Sequence, residues 1–265
     1  MSLLTKNLSI SYQQRKVIDS LDLTLPARKI SVLIGSNGCG KSTLLKSMAR
    51  LLVPQSGAVI LEGQDIHASN TAQIARKLAI LPQTPVAPEG VTVRQLISLG
   101  RFPYQNWLRQ WSEEDEKQVD EALRLTDTFA LQHSSVDALS GGQRQRVWIA
   151  MTLAQNTNYL LLDEPTTYLD LAHQIEILEL LRELNQQQNK TIIMVLHDLN
   201  LACRYADNLV AVHQGGIYAQ GSPQEIMSEE LVNSVFNLRC KIIDDPFFNT
   251  PLCIPFPGAL NAHAR

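Results

Sequence analysis

Eight consecutive residues, Gly35-Ser36-Asn37-Gly38-Cys39-Gly40-Lys41-Ser42, fit the pattern G-x-x-x-x-G-K-[ST] in full. They stand between a run that reads as a buried strand and a stretch that reads as a helix, which is the context in which this pattern binds phosphate. Glycines at 35, 38 and 40 let the backbone take conformations that side chains obstruct, so successive N–H groups can point at phosphate oxygens. The helix beginning near Lys41 aims its positive end at the same place. Lys41 brings a mobile positive charge to the β- and γ-phosphates, and the Ser42 hydroxyl is placed to coordinate Mg²⁺. Cys39 lies inside this loop, and a thiol at a helix N-terminus can become reactive, which predicts sensitivity to thiol reagents. A second constellation is Tyr159-Leu160-Leu161-Leu162-Asp163-Glu164, two carboxylates at the end of an apolar strand, where ligands bind in parallel sheets. Asp163 is suited to hold Mg²⁺ through its water shell. Glu164 can then orient or deprotonate the attacking water.

The elements that must carry these groups follow from periodicity. Leu8 to Tyr12 and Ile18 to Leu25 alternate as half-buried strands, and Ile30 to Ile34 is a mostly apolar run ending in glycine. A helix is expected from Lys41 to about Arg50, stopping before Pro54. Turn residues at Pro82, Pro85, Pro88 and Gly90 then give way to helical stretches at Val93 to Leu99 and Ser112 to Leu125. Ser112 with Glu113, Glu114 and Asp115 reads as an N-cap with an acidic first turn. Residues 85–155 read as a helical insertion. Alternation resumes with a strand at Tyr159 to Leu162, a helix at Leu171 to Asn185, a strand at Thr191 to Leu196 and a helix at Asp198 to Ala206. That order implies a parallel sheet covered by helices. The tail after Gly221 shows short helices around Glu225 to Met227 and Glu230 to Phe236, then two strands, Cys240 to Ile243 and Leu252 to Phe256, and looks peripheral.

The chain has 265 residues, 45% of them apolar and 18% charged, with a formal net charge of −3. This suits a globular α/β domain with an inserted subdomain. No block of like charges forms a footprint for a polyphosphate backbone, so nucleic acid is not an expected partner. The longest apolar runs, such as Ile192 to Leu196, fall far below the roughly 18 to 20 residues of a membrane-spanning helix. The first residues lack the basic and apolar segments of a secretory signal, which points to the cytosol. Four cysteines without a C-x-x-C pair are expected to be reduced thiols, and the six scattered histidines give no metal-ligand spacing.

Leu139-Ser140-Gly141-Gly142-Gln143 opens a helical stretch just ahead of the carboxylate strand. With the two preceding motifs it makes residues 1–220 resemble the nucleotide-binding subunits of ATP-binding-cassette transporters, whose signature is L-S-G-G-Q. The resemblance implies a P-loop NTPase (RecA-like) core with an antiparallel β subdomain and the helical insertion, followed by a C-terminal extension at 221–265 packed on the domain. It implies ATP and Mg²⁺ as ligands, with Tyr12 stacking on adenine and Gly35, Ser36, Asn37, Gly38, Cys39, Gly40, Lys41, Ser42 and Thr43 cradling the phosphates. It implies that Gln83, in Leu81-Pro82-Gln83, senses Mg²⁺ and the permease, so that Ser42, Gln83 and Asp163 are the Mg²⁺ ligands. His197, in Leu196-His197-Asp198-Leu199, matches the histidine that contacts the γ-phosphate and joins Glu164 and Gln83 in catalysis. Ser140, Gly141, Gly142 and Gln143 would cover the nucleotide of a second subunit. Asp170 fits the D-loop, whereas Thr167 and Tyr168 replace the smaller residues usual before it.

The resemblance narrows further. The runs LSGGQRQRVWIAMTLA (139–154), DEPTTYLD (163–170), HDLNLACRYAD (197–207) and RCKIIDDP (239–246) are similar to ATPases of iron-chelate importers of the enterobactin and dicitrate types. This implies a homodimer at the cytoplasmic face of the inner membrane, working with separate transmembrane permease subunits and indirectly with a substrate-binding protein, to import a ferric siderophore. The stretch Leu99 to Tyr104 is a candidate permease contact. Cobalamin, haem or another metal chelate is the alternative cargo. Other readings are a cassette acting on nucleic acid or ribosomes, which would carry two cassettes or a basic linker, and a P-loop kinase, against which the signature speaks.

Overall fold

The computed structural model describes residues 2–13, 15–105, 111–167 and 169–256. Strands β1 (Leu3–Tyr12) and β2 (Arg15–Leu25) pair antiparallel. With β4 (Ser56–Leu61) and β5 (Gln64–Asp65) they form a four-stranded sheet in the order β2-β1-β4-β5. The second sheet has six strands. It contains β3 (Ile30–Ile34), β6 (Leu78–Leu81), β7 (Tyr159–Leu162), β8 (Thr191–Val195), β9 (Asn208–His213) and β10 (Gly216–Gly221). Their order is β10-β9-β3-β8-β7-β6, parallel from β9 to β6, with β10 antiparallel at one edge.

Period-two alternation along the central strands divides the interior in two. Ile30, Val32 and Ile34 of β3, Leu160 and Leu162 of β7, and Ile192 and Met194 of β8 face one apolar cluster. Leu33, Leu161, Ile193 and Val195 face the other, where they meet the antiparallel sheet and Leu44, Leu45 and Met48 of α1 (Lys41–Met48). Strands buried on both faces read as continuous apolar runs, which is why β3, β7 and β8 are plain in the sequence. The first cluster is covered by α3 (Val93–Ser98), α4 (Glu113–Leu125), α5 (Gly141–Ala154), α6 (Leu171–Gln188) and α7 (Leu199–Tyr205). A further short helix, α2 (Thr71–Ala75), precedes β6.

Between β6 and β7, helices α3, α4 and α5 pack on one another. The expected cap of α4 is present as a reciprocal box: the Ser112 hydroxyl accepts from the Asp115 N–H, and the Asp115 carboxylate accepts from the Ser112 N–H. Asp115 has a second use. Its Oδ1 accepts from Arg101 Nε at 2.8 Å inside the protein, and Arg101 Nη1 donates to the Ala154 carbonyl at 2.8 Å. The guanidinium thereby fastens a 3₁₀ turn (Leu99–Tyr104) to α4 and to the end of α5.

The tail is a correction to the sequence reading. Helices α8 (Pro223–Ile226) and α9 (Glu229–Phe236) and the hairpin of β11 (Cys240–Asp244) and β12 (Pro251–Pro255) are present, but they are not peripheral. Met227, Leu231, Val232, Val235, Cys240 and Cys253 all belong to the larger apolar cluster. Asn200 of α7 fixes the hairpin like an added strand residue, accepting from the Cys253 N–H at 2.7 Å and donating to its carbonyl at 3.2 Å.

Candidate active site

Strand β3 delivers the phosphate loop to the carboxyl edge of the parallel sheet. Gly35 is required there: its φ is +152°, and a Cβ would stand 2.3 Å from the Val212 carbonyl oxygen of neighbouring β9. Gly40, at φ 112°, is the N-cap of α1 and offers no side-chain acceptor, so the first N–H groups of the helix are left for a ligand. Lys41 bends back over the loop and donates to the Gly35 and Ser36 carbonyls at 2.8 and 3.0 Å.

Neighbouring strands end at the same edge. The Asp163 N–H donates to the Leu81 carbonyl at 2.9 Å, which carries the ladder between β6 and β7 one residue further. Ser42 Oγ donates to Asp163 Oδ1 at 2.9 Å, joining the loop to β7. The other oxygen, Oδ2, is buried without a hydrogen-bond partner among the described residues. Burial pushes the Asp163 carboxyl above its ordinary range, against the bond from Ser42 and the charges of Lys46 and Lys41. Glu164 follows in a left-handed turn at φ 56°. Its Oε1 lies 2.7 Å from His197 Nε2, just beyond β8, and its Oε2 accepts from the Thr167 hydroxyl at 3.0 Å. Burial raises this carboxyl too, but the bonds from His197 and Thr167 outweigh it and hold Glu164 below its ordinary value, in the charged form.

A cleft of about 620 Å³ gathers Asn37, Gly38, Gly40, Lys41, Ser42 and Thr43 with Gln83, Glu164 and His197, and Tyr12 also lines it. Gly35 and Asp163 form the buried floor behind it. Ser36 offers its carbonyl to Lys41. Cys39 is a correction: the residue is buried, 7% exposed, with its Sγ against Gly35 and Lys41, so the expected reactivity toward thiol reagents is not supported.

The remaining sequence candidates lie elsewhere. Ser140 caps α5 in a reciprocal box with Gln143, and Ser140, Gly141 and Gln143 are exposed. None of the residues 140–143 lines the cleft. Asp170 caps α6, accepting from the His173 N–H at 3.0 Å, and Leu169 and His173 lie against Gly142. Residues 140–143 and the Asp170 cap are thus neighbours in one chain, and neither lines the cleft. Tyr168 lies outside the described residues.

A model of the ABC transporter family matches residues 18–167. The chain belongs to that family. Across 95% of its length the chain is 69% identical to the achromobactin transport ATP-binding protein of Dickeya dadantii, of which 94% is covered. It is 47% identical to the ferric enterobactin transport ATP-binding protein of Escherichia coli, with 94% of this chain and 92% of that protein covered. An ABC transporter solved in an inward-facing conformation superposes with a TM-score of 0.83 at 27% identity, covering 97% of both chains. A bacterial ABC transporter cassette solved as a dimer gives 0.75 at 26% identity, covering 83% of this chain and 98% of that one.

The donor set of this cassette fits Mg²⁺. A serine hydroxyl, one buried carboxylate with an unsatisfied oxygen and the amide oxygen of Gln83 are hard ligands, and a cation bound mainly to phosphate and water needs few protein groups. Among the described residues no group of three or more His, Cys, Asp or Glu could hold a metal by itself. Two walls of the cleft, Arg15 and Val17, escaped the sequence reading because they belong to no motif and reach the site only through the pairing of β1 with β2. Thr167 carried a signal as a departure from the usual D-loop, but its bond to Glu164 is visible only in the fold.

Proposed function

We propose that the chain is the ATP-hydrolysing subunit of an importer that takes up a ferric siderophore. The cleft in which the phosphate loop faces the Glu164 and His197 pair carries the ATP-hydrolysing part of this reading, and the likeness to the achromobactin transport ATP-binding protein supports the cargo. The α1 N-terminus and Lys41 bind the β- and γ-phosphates, Tyr12 stacks on adenine, and the charged Glu164 takes a proton from the attacking water or orients it. His197 holds the other side of that carboxylate and contacts the γ-phosphate. Ser42, Asp163 and Gln83 would hold Mg²⁺, which supplies charge neutralisation on the phosphates when bound.

The exposed N-terminus of α5, with Ser140, Gly141, Gly142 and Gln143, serves the nucleotide of a second copy, and Asp170 sits at the same interface. ATP then favours a closed head-to-tail pair and hydrolysis removes that bias. Among the described residues no helix is long and apolar enough to cross a membrane. A separate permease, with an external substrate-binding protein acting through it, provides the path, and the chain works at the cytoplasmic face of the inner membrane. The turn from Leu99 to Tyr104 supports this assignment, since Leu99 and Phe102 are 51% and 75% exposed while Arg101 anchors the turn from inside. Radio-iron uptake in the host tests the reading. A Glu164→Gln strain is expected to lose uptake of one or a few ferric siderophores. Unchanged iron uptake with a loss of labelled cobalamin or haem uptake would overturn the cargo.

A further inference from the structure

Glu164 is held at both carboxylate oxygens. One partner is His197, which with Glu164 lines the nucleotide cleft. The other is the Thr167 hydroxyl, which donates to Oε2 at 3.0 Å. Thr167 is not a wall of that cleft. It faces a second cavity of about 160 Å³, to which Glu164, His197 and Gln174 also contribute. Glu164 and His197 thus border both spaces, and the hydroxyl bonds the carboxylate from a residue that lines only the second.

The backbone of this turn is itself fixed. The Thr167 N–H closes back on the Glu164 carbonyl at 3.3 Å, and Gln145 of α5 donates to the Pro165 carbonyl at 2.8 Å. With the main chain held, the freedom left to the base is rotation of its side chain, which in a free glutamate is large. A general base must stay within hydrogen-bond reach of the proton it takes, so a group that stops this rotation raises the rate without touching nucleotide. We infer that Thr167 is a positioning residue for ATP hydrolysis, its hydroxyl locking the Glu164 carboxylate in the orientation that faces the cleft. The inference rests on Glu164 being the base.

Steady-state ATP hydrolysis by Thr167→Val, Thr167→Ser, Glu164→Gln and the double variant Glu164→Gln/Thr167→Val tests it. Thr167→Val keeps the shape and removes the hydroxyl, and is expected to lower kcat about 10-fold, the weight of one hydrogen bond to a charged group. KM for ATP should stay at its wild-type value. Thr167→Ser should recover kcat to within about twofold, and Thr167→Val should not slow the residual turnover of Glu164→Gln any further. Should Thr167→Val melt early, Thr167→Ser against Thr167→Ala, which differ by one hydroxyl, makes the same comparison. Wild-type kcat in Thr167→Val, or a Thr167→Ser as slow as Thr167→Val, overturns the inference while Glu164→Gln remains inactive. Wild-type turnover in Glu164→Gln removes the base itself and this inference with it.

Discussion

Asp163 shows how a single residue can trade stability for a ligand. One of its oxygens is satisfied by Ser42 and the other is buried without a partner, so the charged carboxyl is a burden on the fold. Burial penalises the charged form of this carboxyl above all. Asp163→Asn should therefore raise the melting temperature of the nucleotide-free protein by a few degrees while weakening its Mg²⁺-dependent ATP binding. The sign of the pH dependence follows from the raised carboxyl. The folded state holds the proton more tightly than the unfolded chain, so the burden is full at neutral pH and shrinks as pH falls through the raised value toward the ordinary 3.8. The gain in the Asn variant should shrink in the same direction, which thermal melts across the acid range would show. A gain that stays constant with pH would mean that the Asp163 charge is not its source.

At the scale of elements, the buried pair of Arg101 and Asp115 decides whether the 3₁₀ turn stays on the helical layer. Both side chains are almost wholly inside, at 3% and 0% exposure. Removing one member leaves the other charge uncompensated, at a cost of about 3 to 5 kcal/mol. Asp115→Ala should lose that much in urea unfolding and should free Leu99 to Tyr104 while the nucleotide cleft keeps its residues. If stability is unchanged, the pair does not fasten this layer. The elements legible in the sequence were those with one strong local signal. Strands β3, β7 and β8 are mostly apolar runs, and α4 announces itself with Ser112 and three acids. Strands β4, β6, β9 and β10 carried no comparable mark. The four residues of β6 are too few to tell a strand from a helix by period, and Gly216 to Gly221 alternates only weakly because β10 is a half-exposed edge. The tail was misjudged for a related reason: Leu231, Val232, Cys240 and Cys253 are ordinary apolar residues whose burial depends on α7 and β9, far away in the chain.

For the whole molecule, the candidate site divides into a part that one chain assembles and a part that it displays. The phosphate loop, Gln83, Glu164 and His197 meet at one sheet edge, and their sequence motifs could be read because each sits at the end of its own buried strand. L-S-G-G-Q could be read as a motif, but no sequence pattern says that its helix N-terminus lies outside the cleft of its own chain. That separation leads to the central claim, that the site is completed by a second copy. Light scattering after gel filtration of Glu164→Gln, with and without saturating Mg-ATP, tests it most directly. The account predicts a monomer without nucleotide and a dimer of twice the mass with it, reverting when ATP is removed. A Glu164→Gln protein that binds ATP and stays monomeric would contradict it.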